Sequence, residues 1–148
     1  MPMGMSESGP RIGAVSLSSP FVLGPMAGYT NLAFRLLCRN AGAGLVFSEM
    51  ISARGLEYDS RKTRALMAVC DQERPVSLQI FGGEPESMAA AARAAAAAGA
   101  DLVDLNMGCA VPKVRRAGAG TALLEDPERA VAVAAACVRA VHIPVTVK

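Results

Sequence analysis

Short apolar runs alternate with helix-like stretches along this 148-residue chain. Five runs have the length and composition of buried strands, and they lie at residues 20–24, 45–48, 75–81, 101–106 and 144–148. Three stretches between them have helical spacing or helical ends, at residues 32–40, 85–98 and 126–141. Strands that alternate with helices predict a parallel sheet that is covered on both faces and has right-handed connections.

Residues with known positional preferences mark the helix ends. Asn31 or Thr30 can cap the first helix, Pro85 lies in the first turn of the second, and Asp126 followed by Pro127 opens the third. The apolar stripe expected on the third helix consists of Val131, Ala134, Val138 and Val141. The polar segment at 51–68 predicts a solvated helical or loop surface in preference to a phosphate-binding patch.

One helix-to-strand unit occurs twice, since AGADLV at 98–103 echoes AGAGLV at 41–46. A closed (β/α)8 barrel usually needs about 250 residues. We therefore predict an α/β fold that is the N-terminal part, about five βα strands, of a truncated TIM barrel. Residues 1–19 are expected to form an N-terminal tail with a small hairpin or cap, and residues 20–148 the partial barrel. Its last strand would leave an open edge that invites association.

Composition narrows the classes of function. A chain with 52% hydrophobic and 19% charged residues is not a disordered polymer, and a net charge of +2 does not by itself indicate nucleic acid. No stretch reaches the ~18 apolar residues of a membrane span, and the opening residues lack a signal-peptide pattern, so a cytoplasmic protein is expected. No metal site is expected, because there is one histidine and no metal-ligand spacing among Cys38, Cys70, Cys109 and Cys137.

The loop after the fourth predicted strand carries the most reactive side chain of the chain. Cys109 follows Gly108 and lies three residues beyond Asn106. Parallel α/β folds place their chemistry at the carboxyl ends of strands, so we expect this thiol at that rim. Gln79 is the one long polar residue of the third strand, and its amide needs either neighbouring backbone or a ligand as a partner.

The loop after the first predicted strand is apolar and built from small residues. Pro25 fixes and Gly28 frees the backbone around Met26 and Ala27, as a flat ligand lying against the main chain would require. Taken alone, this loop is better explained as an ordinary turn.

Six separated motifs together resemble the tRNA-dihydrouridine synthase family, most closely its bacterial B-type branch. They are GPMAG at 24–28, SEM at 48–50, QIFG at 79–82, DLNMGC at 104–109, PKV at 112–114 and PVTVK at 144–148. Each is weak alone, but their joint order and spacing are specific. The resemblance implies an FMN-bearing TIM barrel that reduces the C5–C6 double bond of particular uridines in tRNA, with NADPH supplying the electrons.

The resemblance also implies roles for individual residues. The flavin would be bound by Pro25, Met26, Ala27, Gln79, Asn106 and Lys148, and the catalytic acid would be Cys109. An ordinary thiol has a pKa of about 8.5 and is mostly protonated at neutral pH, so it can protonate C5 after hydride reaches C6. A cation such as Lys148 would stabilise the reduced ring at its N1–O2 edge.

A compact basic group follows the candidate acid. Lys113, Arg115 and Arg116 lie where an RNA backbone could approach the rim, although a solvated basic turn explains them equally well. Two departures from the family pattern are expected to matter. Ala110 stands where the family usually has proline, and the chain ends before the strands that bind the flavin phosphate and before the tRNA-binding helical domain.

Two other functions stay open at this point. A dihydroorotate-dehydrogenase-like flavoenzyme would act on a free pyrimidine with the same fold, but NMGC and the downstream basic group favour the RNA enzyme. The remaining alternative is a non-catalytic truncated chain that needs a partner.

Overall fold

The computed structural model describes residues 9–148, so the first eight residues of the predicted N-terminal tail lie outside the described residues. The strands are β1 (Arg11–Ile12), β2 (Val15–Ser16), β3 (Val22–Leu23), β4 (Leu45–Phe47), β5 (Ile51–Ser52), β6 (Val76–Phe81), β7 (Leu102–Leu105) and β8 (Val145–Val147). The α-helices are α1 (Leu32–Asn40), α2 (Ala53–Glu57), α3 (Arg61–Ala65), α4 (Pro85–Ala97), α5 (Pro112–Arg116) and α6 (Pro127–Ala140). Two 3-10 helices span Asp71–Glu73 and Gly120–Glu125.

Strands β3 to β8 form one parallel sheet. Five of them follow chain order across it, as β3, β4, β6, β7 and β8, while the short β5 pairs with the end of β6. Parallel strands that lie side by side in chain order, with helices in their connections, have the arrangement of a (β/α)8 barrel. The predicted α/β class is confirmed, and the sheet has the strand order of part of a TIM barrel.

The outer face of the sheet packs against helices α4 and α6. Leu78 and Ile80 of β6 and Val103 and Leu105 of β7 are fully buried there. They share one hydrophobic cluster with the alanines on the inward side of α4. Each buried aliphatic side chain contributes about 1.5–3 kcal/mol, so this cluster is the main source of the sheet's stability.

The stripe predicted for α6 is wrong at two of its four positions. Val131 is 68% exposed and Val138 is 58% exposed, whereas Val133 and Cys137 are completely buried. Because α6 carries apolar residues on more than one side, helical spacing alone does not say which side faces the core. Packing against α4 and the sheet selects the side with Val133 and Cys137.

The inner face of the sheet changes from apolar to polar along the strands. Near their amino ends Leu45 and Leu102 pack with Leu17, which follows the β1–β2 hairpin, so the hairpin region closes this end of the inner face. Gln79 and Asp104 pair with one another in the sheet two residues further along and point to the same face. The fold therefore presents a polar layer towards the carboxyl ends of the strands.

The buried thiol of α6 gives a prediction about alkaline stability. Burial raises the pKa of Cys137 from 9.0 to about 11, so the unfolded chain releases this proton first as the pH rises. The free energy of unfolding of the wild type, relative to Cys137→Ala, should be constant below the lower value and fall as the pH approaches the higher one. Urea titrations of both proteins across this range measure the difference, and a difference independent of pH would contradict the prediction.

The helices of residues 9–148 are all too short or too polar to cross a membrane.

Candidate active site

A row of hydrogen-bonded side chains crosses β8, β7 and β6 on the inner face of the sheet. Thr146 Oγ1 donates to Asp104 Oδ1 at 2.6 Å, and Gln79 Nε2 donates to Asp104 Oδ2 at 2.6 Å. Asn106 Nδ2 donates to Gln79 Oε1 at 3.0 Å. We call these four residues the polar row. Gln79 and Asp104 are 1% and 2% exposed, so their bonds are shielded from water and correspondingly strong.

The partners of the Gln79 amide are two side chains of the protein, whereas the sequence had left open either neighbouring backbone or a ligand. The side-chain amide is bonded on both sides by side chains, and its second N–H and second oxygen lone pair remain. Sequence reasoning missed Asp104 and Thr146 as members of the site. The available signal was a carboxylate in the middle of an apolar strand, because a buried carboxylate needs donors.

The polar row ends at the loop that carries Cys109. The backbone N–H of Cys109 donates to Asn106 Oδ1 at 3.0 Å, and its carbonyl accepts from Thr121 N–H at 3.0 Å and Thr121 Oγ1 at 3.3 Å. Gly120 has a φ of +62°, and a Cβ there would overlap the Cys109 carbonyl oxygen. The backbone of Cys109 is thus fixed on both sides, while the residue as a whole is half-buried.

The loop after β3 has a backbone that is held by two polar side chains. Thr30 Oγ1 accepts from Met26 N–H and donates to the Met26 carbonyl, both at 3.1 Å. Glu49, just after β4, accepts from Gly28 N–H. The residues predicted to line a flavin are Pro25, which is half-buried, and Met26 and Ala27, which are exposed. The loop therefore presents small apolar groups on a constrained main chain.

A buried ion pair is bonded to the end of this loop. Arg35 Nε lies 2.5 Å from Glu73 Oε2, and Arg35 Nη2 donates to Glu73 Oε1 at 3.1 Å. Arg35 also donates to the carbonyls of Thr30 at 3.0 Å and Ala68 at 2.7 Å, and Glu73 accepts from Cys70 N–H at 3.0 Å. The pair connects the start of α1 with the segment that precedes β6.

Lys148 continues the sheet beyond β8. Its N–H donates to the Leu105 carbonyl at 3.0 Å, and its carbonyl accepts from Met107 N–H at 2.8 Å. Side chains alternate along a strand, so Lys148 has the same orientation as Thr146 and starts from the inner face beside Asn106. Its exposed side chain is free to reach a group bound at this face.

The predicted basic group lies on α5, a short helix that the sequence did not indicate. Lys113, Arg115 and Arg116 are all exposed, and Arg115 Nη2 is paired with Glu125 Oε1 at 2.5 Å. A cleft of about 300 Å³ adjoins this group and is lined by Ala110, Pro112, Arg115, Arg116, Ala122 and Glu125. The basic helix therefore borders the residue that directly follows Cys109.

The structure thus brings Gln79, Asn106 and Cys109 into one connected network, with the backbone of Lys148 beside it. The loop with Met26 and the basic helix α5 belong to separate segments of the same rim, after β3 and after β7. Within residues 9–148, no three His, Cys, Asp or Glu side chains are grouped so that they could hold a metal ion.

Comparison with known proteins agrees with the motif pattern. Residues 22–148 match the family model described as dihydrouridine synthase. Curated relatives include tRNA-dihydrouridine synthase B of Pseudomonas syringae pv. tomato, at 45% identity, and those of Pseudomonas aeruginosa and Klebsiella pneumoniae, both at 44% identity. Each match covers 93% of this chain and 41–43% of the relative, so the chain spans about two fifths of their length. The resemblance predicted from the motifs is confirmed, and this chain belongs to the dihydrouridine synthase family.

Proposed function

We propose that this chain takes part in the reduction of uridine to 5,6-dihydrouridine in tRNA, with FMN as bound cofactor, NADPH as electron donor and Cys109 as proton donor. The observation that carries the proposal is the family match across residues 22–148, whose relatives are named for this product. The same match favours this function over that of a dihydroorotate-dehydrogenase-like flavoenzyme.

The residues at the rim fit the isoalloxazine ring of FMN. The ring is flat, with apolar faces and one polar edge, and the loop with Met26 and Ala27 offers apolar side chains on a backbone fixed by Thr30. Gln79 has an unused donor and acceptor for the polar edge, and Lys148 supplies a cation. When bound, FMN supplies the hydride for C6 of the uracil. Pro25 and Asn106 complete the proposed cofactor contacts.

Cys109 completes the reduction by giving a proton to C5. Addition of hydride to C6 leaves an electron pair that is shared by C5 and O4, and a positioned acid protonates C5. The thiol supplies this proton, and the thiolate that remains recovers one from solvent because the residue is only half-buried. The bonds to Asn106 and Thr121 use the Cys109 backbone, so the sulfur is left for chemistry.

The basic helix α5 serves as a contact for the RNA backbone in this proposal. Lys113 reaches a phosphate as a point charge and Arg116 through its guanidinium N–H groups, while Glu125 holds the Arg115 guanidinium in one orientation beside the cleft. Such contacts position the RNA without reading its sequence. The proposal also assigns the protein to the cytoplasm, where its RNA substrate and NADPH occur together.

The test combines a spectrum with an assay. The purified protein should bind FMN, visible as absorbance between about 370 and 450 nm, and should convert unmodified tRNA to dihydrouridine-containing tRNA when NADPH is added. Free orotate and dihydroorotate serve as parallel substrates. A colourless protein without activity on tRNA would overturn the proposed function for this chain, and activity on the free pyrimidine alone would replace it with the dihydroorotate-dehydrogenase-like one.

A further inference from the structure

The polar row contains two side-chain amides, those of Gln79 and Asn106. The shape of an amide does not determine on which side its oxygen and its nitrogen lie. A glutamine or asparagine side chain can turn by 180° and exchange its oxygen and nitrogen with almost no change in volume. The orientation that a buried amide adopts is therefore imposed by its neighbours. In the polar row these neighbours differ in kind at the two ends.

At one end lies a group that can only accept. As a carboxylate, Asp104 has no proton to donate, so Gln79 turns its Nε2 towards it, with 2.6 Å between Nε2 and Oδ2. Gln79 Oε1 then faces Asn106, which must present its Nδ2 at 3.0 Å. Asn106 Oδ1 is left facing the loop. Each orientation follows from the one before it.

At the other end lies a group that can only donate. The backbone N–H of Cys109 needs an oxygen, and Asn106 Oδ1 supplies it at 3.0 Å. The opposite direction of the row would place an NH2 group against this N–H and a carbonyl oxygen against the Asp104 carboxylate. Thr146 Oγ1 donates to the second oxygen of Asp104 at 2.6 Å and so holds the carboxylate in place.

We propose that Asp104 is a positioning residue, which sets the direction of the Gln79 and Asn106 amides and thereby holds the backbone of Cys109. With 1% and 2% exposure at Gln79 and Asp104, water has little access to take over a lost bond. The catalytic consequence of this inference rests on the proposed function, because it assumes that the thiol must be held against a uracil. The structural consequence does not.

The decisive substitution is Asp104→Asn, which keeps the size of the side chain but can donate as well as accept. The Gln79 and Asn106 amides can then adopt either orientation. Whenever they are reversed, the Cys109 N–H loses its hydrogen-bond acceptor. We expect hydrogen exchange of the Cys109 backbone amide to become about ten-fold faster, the factor that corresponds to one lost hydrogen bond. Exchange of the amides in α4, on the other face of the sheet, should change much less.

Two further variants make the test independent of folding problems at position 104. Gln79→Met removes the middle of the row with little change in volume, and it should accelerate exchange of the same amide by a similar factor. Ser77→Ala is the matched control, because Ser77 is buried on the same face of β6 and its hydroxyl has no hydrogen-bond partner among residues 9–148. It should leave exchange at Cys109 unchanged.

The readouts separate this inference from the proposed function. Exchange that stays at the wild-type rate in Asp104→Asn and Gln79→Met, or that rises equally throughout the sheet, would overturn the positioning role. If the wild-type protein reduces no tRNA, a selective rise at Cys109 in the two variants would still sustain the positioning role, while the proposed function would be overturned. In an active protein, Asp104→Asn should slow uridine reduction at least several-fold while the bound flavin is still reduced by NADPH.

Discussion

Replacing Cys109 with alanine should lower the rate of tRNA uridine reduction by about 10²- to 10⁴-fold, the usual contribution of a positioned acid. The expected loss is confined to the step that needs a proton at C5. Reduction of bound FMN by NADPH needs no acid from this residue and should continue at close to the wild-type rate. The fold should tolerate the change, because the bonds to Asn106 and Thr121 use the Cys109 backbone.

Stopped-flow absorbance of the flavin measures the first half of the reaction, and dihydrouridine content of the tRNA measures the second. Cys38→Ala is the matched control, since Cys38 is a half-buried free cysteine in α1, and it should leave both rates unchanged. An unchanged dihydrouridine yield in Cys109→Ala would remove this residue as the acid. Loss of flavin reduction instead would show that Cys109 supports the cofactor rather than the proton transfer.

Much of the fold follows from local pattern in the sequence. The runs that became β4, β6 and β7 are strongly apolar and bounded by glycine, proline or aspartate, and strands of this kind are recognised without knowledge of their partners. The short β5 and the five-residue helix α5 were not predicted, because a segment of two to five residues is too short to show the hydrophobic period of a strand or a helix. Their structure depends on pairing with β6 and on packing around Cys109.

The candidate site was predicted partly from the signals of single residues and partly from the resemblance to the family. Gln79 is a polar residue within an apolar strand, and Asn106 and Cys109 follow the end of another; the structure connects all three by hydrogen bonds. Asp104 and Thr146 were missed because their role depends on register, which aligns β7 with β6 on one side and with β8 on the other. A one-residue shift in either pairing would turn these side chains to the opposite face.

The buried pair of Arg35 and Glu73 was missed for a related reason, since 38 positions separate the two residues along the chain. This pair leads to the largest expected effect on stability. Glu73→Ala should lower the free energy of unfolding by about 3–5 kcal/mol, because it leaves the Arg35 guanidinium buried without its counter-charge. Arg35 is 2% exposed and Glu73 is completely buried, so water cannot replace the lost carboxylate without opening the structure.

Asp71→Ala provides the matched control from the same 3-10 helix. The Asp71 carboxylate also pairs with an arginine, Arg74, but its side chain is 95% exposed, and such a surface pair contributes about 0–1 kcal/mol. Urea denaturation of the two variants compares a buried and an exposed ion pair two residues apart. Equal effects of the two substitutions would contradict the prediction.

Glu73→Ala should weaken cofactor binding as well as stability. Arg35 donates to the carbonyl of Thr30, and Thr30 in turn holds Met26 through its N–H and its carbonyl. An arginine without Glu73 is free to leave this position, so the loop proposed to line the flavin loses one of its supports. FMN titration of Glu73→Ala under conditions where it remains folded should give a Kd several-fold higher than that of Asp71→Ala. An unchanged Kd would show that Thr30 and Glu49 alone are sufficient to hold the loop.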